Sequence, residues 1–305
     1  MTARIRAVEY IRRMRGGSQA KLMRCSDGGY YVVKFQNNPQ GIRILANELL
    51  AAILAKTLGL PIPEPAVVEV TADLIRHNSE LVIDKGWRRV PCRPGLCFGS
   101  RWGGNEALRP GLGDVYDLLP EERLANVKNL CDFVGMLAFD KWTGNGDDRQ
   151  TIFVRNDRAS PFRAFLIDNG LCFNGTRWNF AAGPKDGLFW PCVVYQQVSG
   201  VDAFKPWLDR IEHDVDPSFL KGIAEEVPTE WYGGRRDSLV RLLTGLDERR
   251  THVRDFLWST RTVACQFFPM WSCEVIRSPF ATNLVGASMV QAERPRESSE
   301  TANSL

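Results

Sequence analysis

The first 35 positions alternate between apolar and polar residues, and the chain then changes rhythm. Residues 7–13, 19–25 and 30–35 read as three strands. Gly16, Gly17 and Ser18 separate the first two, and Asp27-Gly28-Gly29 is a hairpin turn before the third. From 42 to 58 the apolar positions Leu45, Leu49, Ala52 and Ile53 recur at helical spacing, and Gly59 and Pro61 stop the helix. Pro61, Pro63 and Pro65 make an extended connector to strands at 66–70 and 81–83. The glycine-rich stretch from 86 to 113 reads as loop. A second long helix is predicted from about 120 to 142, with Leu124, Val127, Cys131, Val134 and Leu137 as its stripe. Short strands at 152–154 and 165–167 follow, and residues 201 to about 260 carry helical periods. Beyond about 276 Ser, Glu, Ala and Arg dominate without periodicity, which predicts a disordered tail.

Four features of this order suit phosphoryl-transfer chemistry. Gly16, Gly17 and Ser18 form a turn of small residues whose N–H groups can approach phosphate oxygens, although the same residues also make an ordinary hairpin. Lys34 stands in an otherwise apolar strand, and Glu48 follows on the first helix. A lysine directed into a core needs a partner, and a strand–helix Lys–Glu pair can hold a cation against nucleotide phosphates. The loop Asn145-Gly146-Asp147-Asp148-Arg149-Gln150-Thr151 offers a carboxylate to orient an acceptor hydroxyl and an amide to reach a metal. Asp168 closes a buried strand before Asn169-Gly170, a position that suits a ligand for a hard cation. Each feature alone also reads as a turn or a solvated surface; their order is what points to a common site.

Lys34, Asn47-Glu48, the stretch from Phe139-Asp140 to Asp147, and Ile167-Asp168-Asn169-Gly170 resemble the HipA-like kinases and, more distantly, type II phosphatidylinositol 4-kinases. The segments 95–101 and 228–234 look like those of small bacterial HipA-like proteins. The resemblance implies an α+β, two-lobed, protein-kinase-like domain over 1–262, with a β-rich N-lobe to about 95 and a mainly helical C-lobe, followed by an extension over 263–305. It implies ATP and Mg²⁺ as cofactors and a protein Ser/Thr hydroxyl as acceptor in preference to a lipid. By the same resemblance Gly16, Gly17, Ser18, Lys34 and Glu48 hold the nucleotide, Asp147 is catalytic, with Asp148 as competitor, and Asp168 binds metal. An antitoxin-like partner is a further implication. The sequence departs from the family at one point. The family places an Asn five residues after the catalytic Asp, where this chain has Ile152, or Phe153 counted from Asp148. Gln150 or Asn145 is the substitute metal ligand, or the site is lost and the protein is a silent nucleotide-binding pseudokinase.

Composition narrows this picture. The chain of 305 residues is 44% hydrophobic and 25% charged, which excludes a wholly disordered chain, a collagen-like fibre and a coiled-coil rod. Eight cysteines without a CxxC pair and only three histidines give no zinc pattern, and the thiols read as reduced core residues of a cytoplasmic protein. No apolar run is long enough to span a membrane, and no segment reads as a signal peptide or DNA-binding module. The net charge is only +3, yet residues 1–24 carry seven Lys or Arg against Glu9 alone. That local surplus favours a polyanionic nucleotide if the side chains face the cleft. Trp178, Phe180, Phe189 and Trp190 read as core packing, with an acceptor groove as the alternative, and Arg12-Arg13, Arg235-Arg236 and Arg249-Arg250 as solvated faces.

Overall fold

The hairpin predicted at Asp27-Gly28-Gly29 forms as expected. Gly28 takes φ +78°, and Asp27 accepts from the Gly29 N–H at 3.0 Å and the Tyr31 hydroxyl at 2.8 Å. This turn belongs to a computed structural model that describes residues 1–102, 114–155, 157 and 159–272. Residues 1–272 form one compact unit. The tail expected from about 276 lies outside the described residues.

The elements of the N-terminal half are β1 (Ala3–Arg13), β2 (Lys21–Cys25), β3 (Tyr30–Lys34), α1 (Arg43–Thr57), β4 (Pro65–Val70), α2 (Ala72–Arg76), β5 (Val82–Asp84), β6 (Arg89–Pro91) and β7 (Gly95–Arg101). Five strands close into a small barrel in the order β1-β2-β3-β7-β4, with β1 and β4 parallel. The 86–113 loop expectation therefore fails at β7, a strand central to the barrel. Glycine is the source of the error: a Cβ on Gly99 would lie 2.5 Å from Val68 Cγ2, so glycine here marks the close approach of two strands. Residues 103–113 lie outside the described residues.

Helix α1 is buried almost all round, with 11 of its 15 residues in the interior. It packs between the barrel and the helical half, which explains why its apolar positions exceed a single stripe.

The second half contains β8 (Asp114–Tyr116), α3 (Glu121–Leu124), α4 (Asp132–Thr143), β9 (Gln150–Arg155), β10 (Arg163–Ile167), α5 (Lys205–His213), α6 (Pro217–Ala224), α7 (Arg236–Glu248) and α8 (Val253–Val263). The three strands form a sheet in the order β10-β9-β8. The long helix predicted from 120 to 142 is interrupted between α3 and α4. There the backbone of 126–128 bonds to Phe162, and the Asn129 side chain brackets Ala164, so tertiary pairing overrides helical propensity. Cys131 lies at this break and is exposed, against the expectation of a core thiol; Cys25, Cys92, Cys97 and Cys172 are buried. Helix α4 is the axis of this half, buried along 11 of its 12 residues. Phe267, Phe268 and Trp271 pack into the same core. No helix among the described residues is long and apolar enough to cross a membrane.

Burial pushes the thiols of Cys25 and Cys172 up to about 12 and that of Cys92 up to about 11, from an ordinary 9.0. The folded state then retains protons that the unfolded chain releases. The stabilising contribution is complete below pH 9 and is lost as pH climbs toward 11–12. The melting temperature should fall steadily between pH 9 and 10.5 in a scanning-fluorimetry series, and a flat profile would refute the buried-thiol account.

Candidate active site

A cavity of about 590 Å³ lies between the barrel and the second half, within the range of small-molecule sites. Its deep wall is built by three elements converging on one cation. Lys34 ends β3 and is 7% exposed; its ammonium donates to Glu48 of α1 and, at 2.7 Å, to Asp168 at the end of β10. Burial by itself would discharge the ammonium, but the two carboxylates outweigh it and hold the lysine pKa above the ordinary value. Burial raises the Glu48 carboxyl against the pull of Lys34 and of the Asn169 N–H, which donates to it at 3.1 Å. Burial opposes ionisation of Asp168 too, but Lys34 and then Arg149 bring its pKa below the usual carboxylate range.

The backbone aims these groups. Asp168 adopts φ +54°, a left-handed conformation that Asp tolerates better than most residues. Gly170 follows because a Cβ there would lie 2.5 Å from Ile44 Cγ2 on α1. Asn47, beside Glu48, ties the loop down through Nδ2, which donates to the carbonyls of Gly170 (2.7 Å), Cys172 (3.1 Å) and Gly175 (3.0 Å).

Gly16, Ser18, Lys34, Glu48, Gln150 and Asp168 all line this one cavity. Gly16 supplies the turn with φ +109°, and open space surrounds the position a Cβ would take. Gly17 and Asp147 do not line it. Asp147 is half-buried, and Gln150 Nε2 donates to its carboxylate at 3.4 Å; Asp148 is exposed. Burial, then Asp147 and Asp186, raises the Asp148 carboxyl. The two candidate substitutes for the missing Asn separate clearly. Gln150 opposes Ile167 in the β9–β10 ladder, next to Asp168, whereas Asn145 is buried and donates to Asp140.

One central side chain has no counterpart among the residues expected from sequence, and it is Arg149. It is buried and grips Asp140 of α4 with two nitrogens, while Nη1 donates to the Ile167 carbonyl at 2.8 Å and to Asn169 Oδ1 at 3.0 Å. One guanidinium thus ties the loop after α4 to the strand that delivers Asp168. An arginine inside a run of polar residues gives no sequence sign of burial. The basic surplus also divides. Arg12 and Arg15 line the cavity, but Arg6 pairs with Glu69, Arg13 with Asp84 and Arg24 with Glu9; strand alternation sends the neighbours Arg12 and Arg13 to opposite faces. Arg249 is no solvated residue: it donates to the Lys141 and Trp142 carbonyls at the end of α4. Of the four aromatics after the Asp168 strand, Phe189 is core and Trp190, 53% exposed, stands at the cavity.

A family model for HipA-like kinases matches residues 7–176, more than half of the chain. The chain belongs to the HipA-like kinase family. Among solved structures, a Helicobacter pylori proinflammatory kinase, CtkA, shares the fold of this HipA-like kinase, with 14% identity over 87% of this chain and 99% of that chain and a TM-score of 0.54. The Golgi casein kinase is similar at 12% identity over 85% of this chain and 74% of that chain, with a TM-score of 0.46. No curated protein matches the sequence. The two-lobed α+β kinase-like architecture implied by the sequence is therefore the one this chain has, with a β-rich first half and a helical second half. The segments 95–101 and 228–234 also meet, since Trp231 Nε1 donates to the Leu96 carbonyl at 2.9 Å.

Removing one partner of a buried ion pair strands the other charge. Arg149→Met should destabilise the HipA-like kinase by about 3–5 kcal/mol in urea unfolding, against under about 0.5 kcal/mol for Asp148→Asn at the exposed position. Equal effects would show that the Arg149–Asp140 pair does not organise the loop.

Proposed function

We propose that the protein is an ATP- and Mg²⁺-dependent kinase that transfers the γ-phosphoryl group to a hydroxyl, a Ser or Thr of a protein. The observation that carries this reading is the convergence of Lys34, Glu48 and Asp168 on the wall of a cavity whose rim includes Gly16 and Ser18. Lys34 would neutralise phosphate oxygens, with Glu48 holding its ammonium in place. The small-residue turn would let backbone N–H groups approach the phosphates.

The donor set fits a phosphate-bound cation. Asp168 offers one oxygen to Lys34, and the other has no protein partner among the described residues. No group of three or more Asp, Glu, His or Cys there could hold a metal by itself. Mg²⁺ does not need one, since it takes one or two carboxylates together with substrate phosphates and water. Asp168 and Gln150 would be its protein ligands. When bound, the cation supplies charge neutralisation on the transferring group. Asp147 would orient the acceptor hydroxyl and receive its proton. Arg12 and Arg15 add positive charge on the phosphate side.

A silent nucleotide-binding protein is the second reading. It is favoured by the side-chain position of Asp147 outside the cavity lining and by Ile152 standing five residues after Asp147, where the family has an Asn. The two readings part on turnover. Mg-ATP should raise the melting temperature of both wild type and Asp147→Asn, because ligand bound only by the folded state stabilises it. Radiolabelled phosphate should reach a casein or histone acceptor with wild type only. Lys34→Met and Asp168→Asn should each lower transfer by about 100-fold or more. Stabilisation by Mg-ATP without transfer would leave the silent reading, and unchanged ATP binding by Lys34→Met would remove the site assignment altogether.

A further inference from the structure

Lys141 is a buried titratable group that the proposed chemistry does not use. It follows Asp140 on α4, is 6% exposed, and makes no ion pair among the described residues. Its ammonium is satisfied by backbone: Nζ donates to the carbonyl of Pro184 at 2.8 Å and to that of Asp186. Burial lowers its pKa to about 8, although Asp140 and Asp186 pull the other way. A methionine would fill the same volume without desolvating a charge, so a structural core has no need of a lysine here.

The carbonyls it holds belong to residues 183–188, a strap laid across the loop that contains Asp147. The Gly187 N–H donates to the Asp147 carbonyl at 2.8 Å, and the Arg149 N–H donates to the Leu188 carbonyl at 2.9 Å. The strap also presses on α4 itself. Gly187 takes φ +79°, and a Cβ on it would lie 2.5 Å from Asp140 Cβ. Asp140 and Lys141 therefore act on the same loop by different routes. Asp140 holds the Arg149 side chain, and Lys141 holds the strap that pairs with the backbone of 147–149.

We propose that Lys141 is a positioning residue of the catalytic loop, clamping the 183–188 strap to α4 so that the strap fixes the backbone that carries Asp147. The catalytic consequence rests on the kinase reading above, whereas the clamp itself does not. Positioning errors of about an ångström cost large factors in rate without weakening substrate binding in proportion.

The test compares the full chain with Lys141→Met and with Gly187→Ala, which strains the strap from its other side. Hydrogen exchange on peptides covering 145–150 and 183–189 reads the clamp, and Mg-ATP turnover with casein or histone reads its consequence. In each variant, exchange of the Gly187 and Arg149 amides should quicken about tenfold or more while α4 keeps its protection. The kcat should fall about 10- to 100-fold with KM for Mg-ATP within about twofold. Unchanged exchange in Lys141→Met overturns the proposal. So does a retained kcat, or a rise in KM that accounts for the whole loss. If wild type itself shows no turnover, the kinase reading fails, and the exchange data decide the clamp. If Lys141→Met does not fold, Lys141→Gln supplies both measurements in its place.

Discussion

A charged lysine at the bottom of a cleft is unfavourable on its own, and the fold is arranged around satisfying it. Lys34 cannot stay ionised in a buried strand end unless carboxylates arrive from elsewhere. Glu48 comes from a helix and Asp168 from a strand 134 residues further along the chain. Together they outweigh burial and keep the ammonium charged. The barrel, the buried helix α1 and the β9–β10 ladder are thereby held in one relative placement, and the cavity is the space that this placement leaves open. The same preorganised arrangement suits a phosphate site, since the positive centre is fixed before any ligand arrives.

Behind the cavity, α4 serves as a second anchor. Asp140 and Lys141 are consecutive, both buried, and bound to different parts of the chain. Arg249 covers the carbonyls at the helix end, and Gly144, at φ +62°, lets the chain leave in a left-handed turn toward Asn145. Two sets of interior charges are thus compensated locally, Lys34 with Glu48 and Asp168 and Arg149 with Asp140, while Lys141 is satisfied by backbone carbonyls. Local compensation matters because an isolated member of either set would be left in low dielectric without a partner.

Much of the site is legible in the sequence because its motifs follow one another in a fixed order. A lysine in an apolar strand, a carboxylate ending a buried strand before Asn-Gly, and two glycines before a serine each have an ordinary reading alone, but together they point to one site, and Lys34, Asp168 and Gly16 all line the cavity. The elements that escape a sequence reading are those whose local signal is ordinary or reversed. Strand β7 is hidden by glycine, which Gly99 requires because Val68 packs against it. The break before α4 is hidden because 126–129 is helix-compatible until Phe162 and Ala164 offer alternative hydrogen bonds. Arg149 and Lys141 are invisible because burial leaves no mark on the identity of a charged residue.

The sequence by itself determined the opening strands and first helix, the family and the residue types available for the chemistry, since these follow from periodicity and from short motifs in a fixed order. Only the tertiary structure decided which charges meet. Whether Arg12 or Arg13 faces the cavity, whether Gln150 or Asn145 lies beside Asp168, and whether a lysine binds a carboxylate or a pair of carbonyls depend on strand register and on contacts between residues far apart in the chain. Burial and ion pairing are properties of those distant contacts, and no local pattern encodes them.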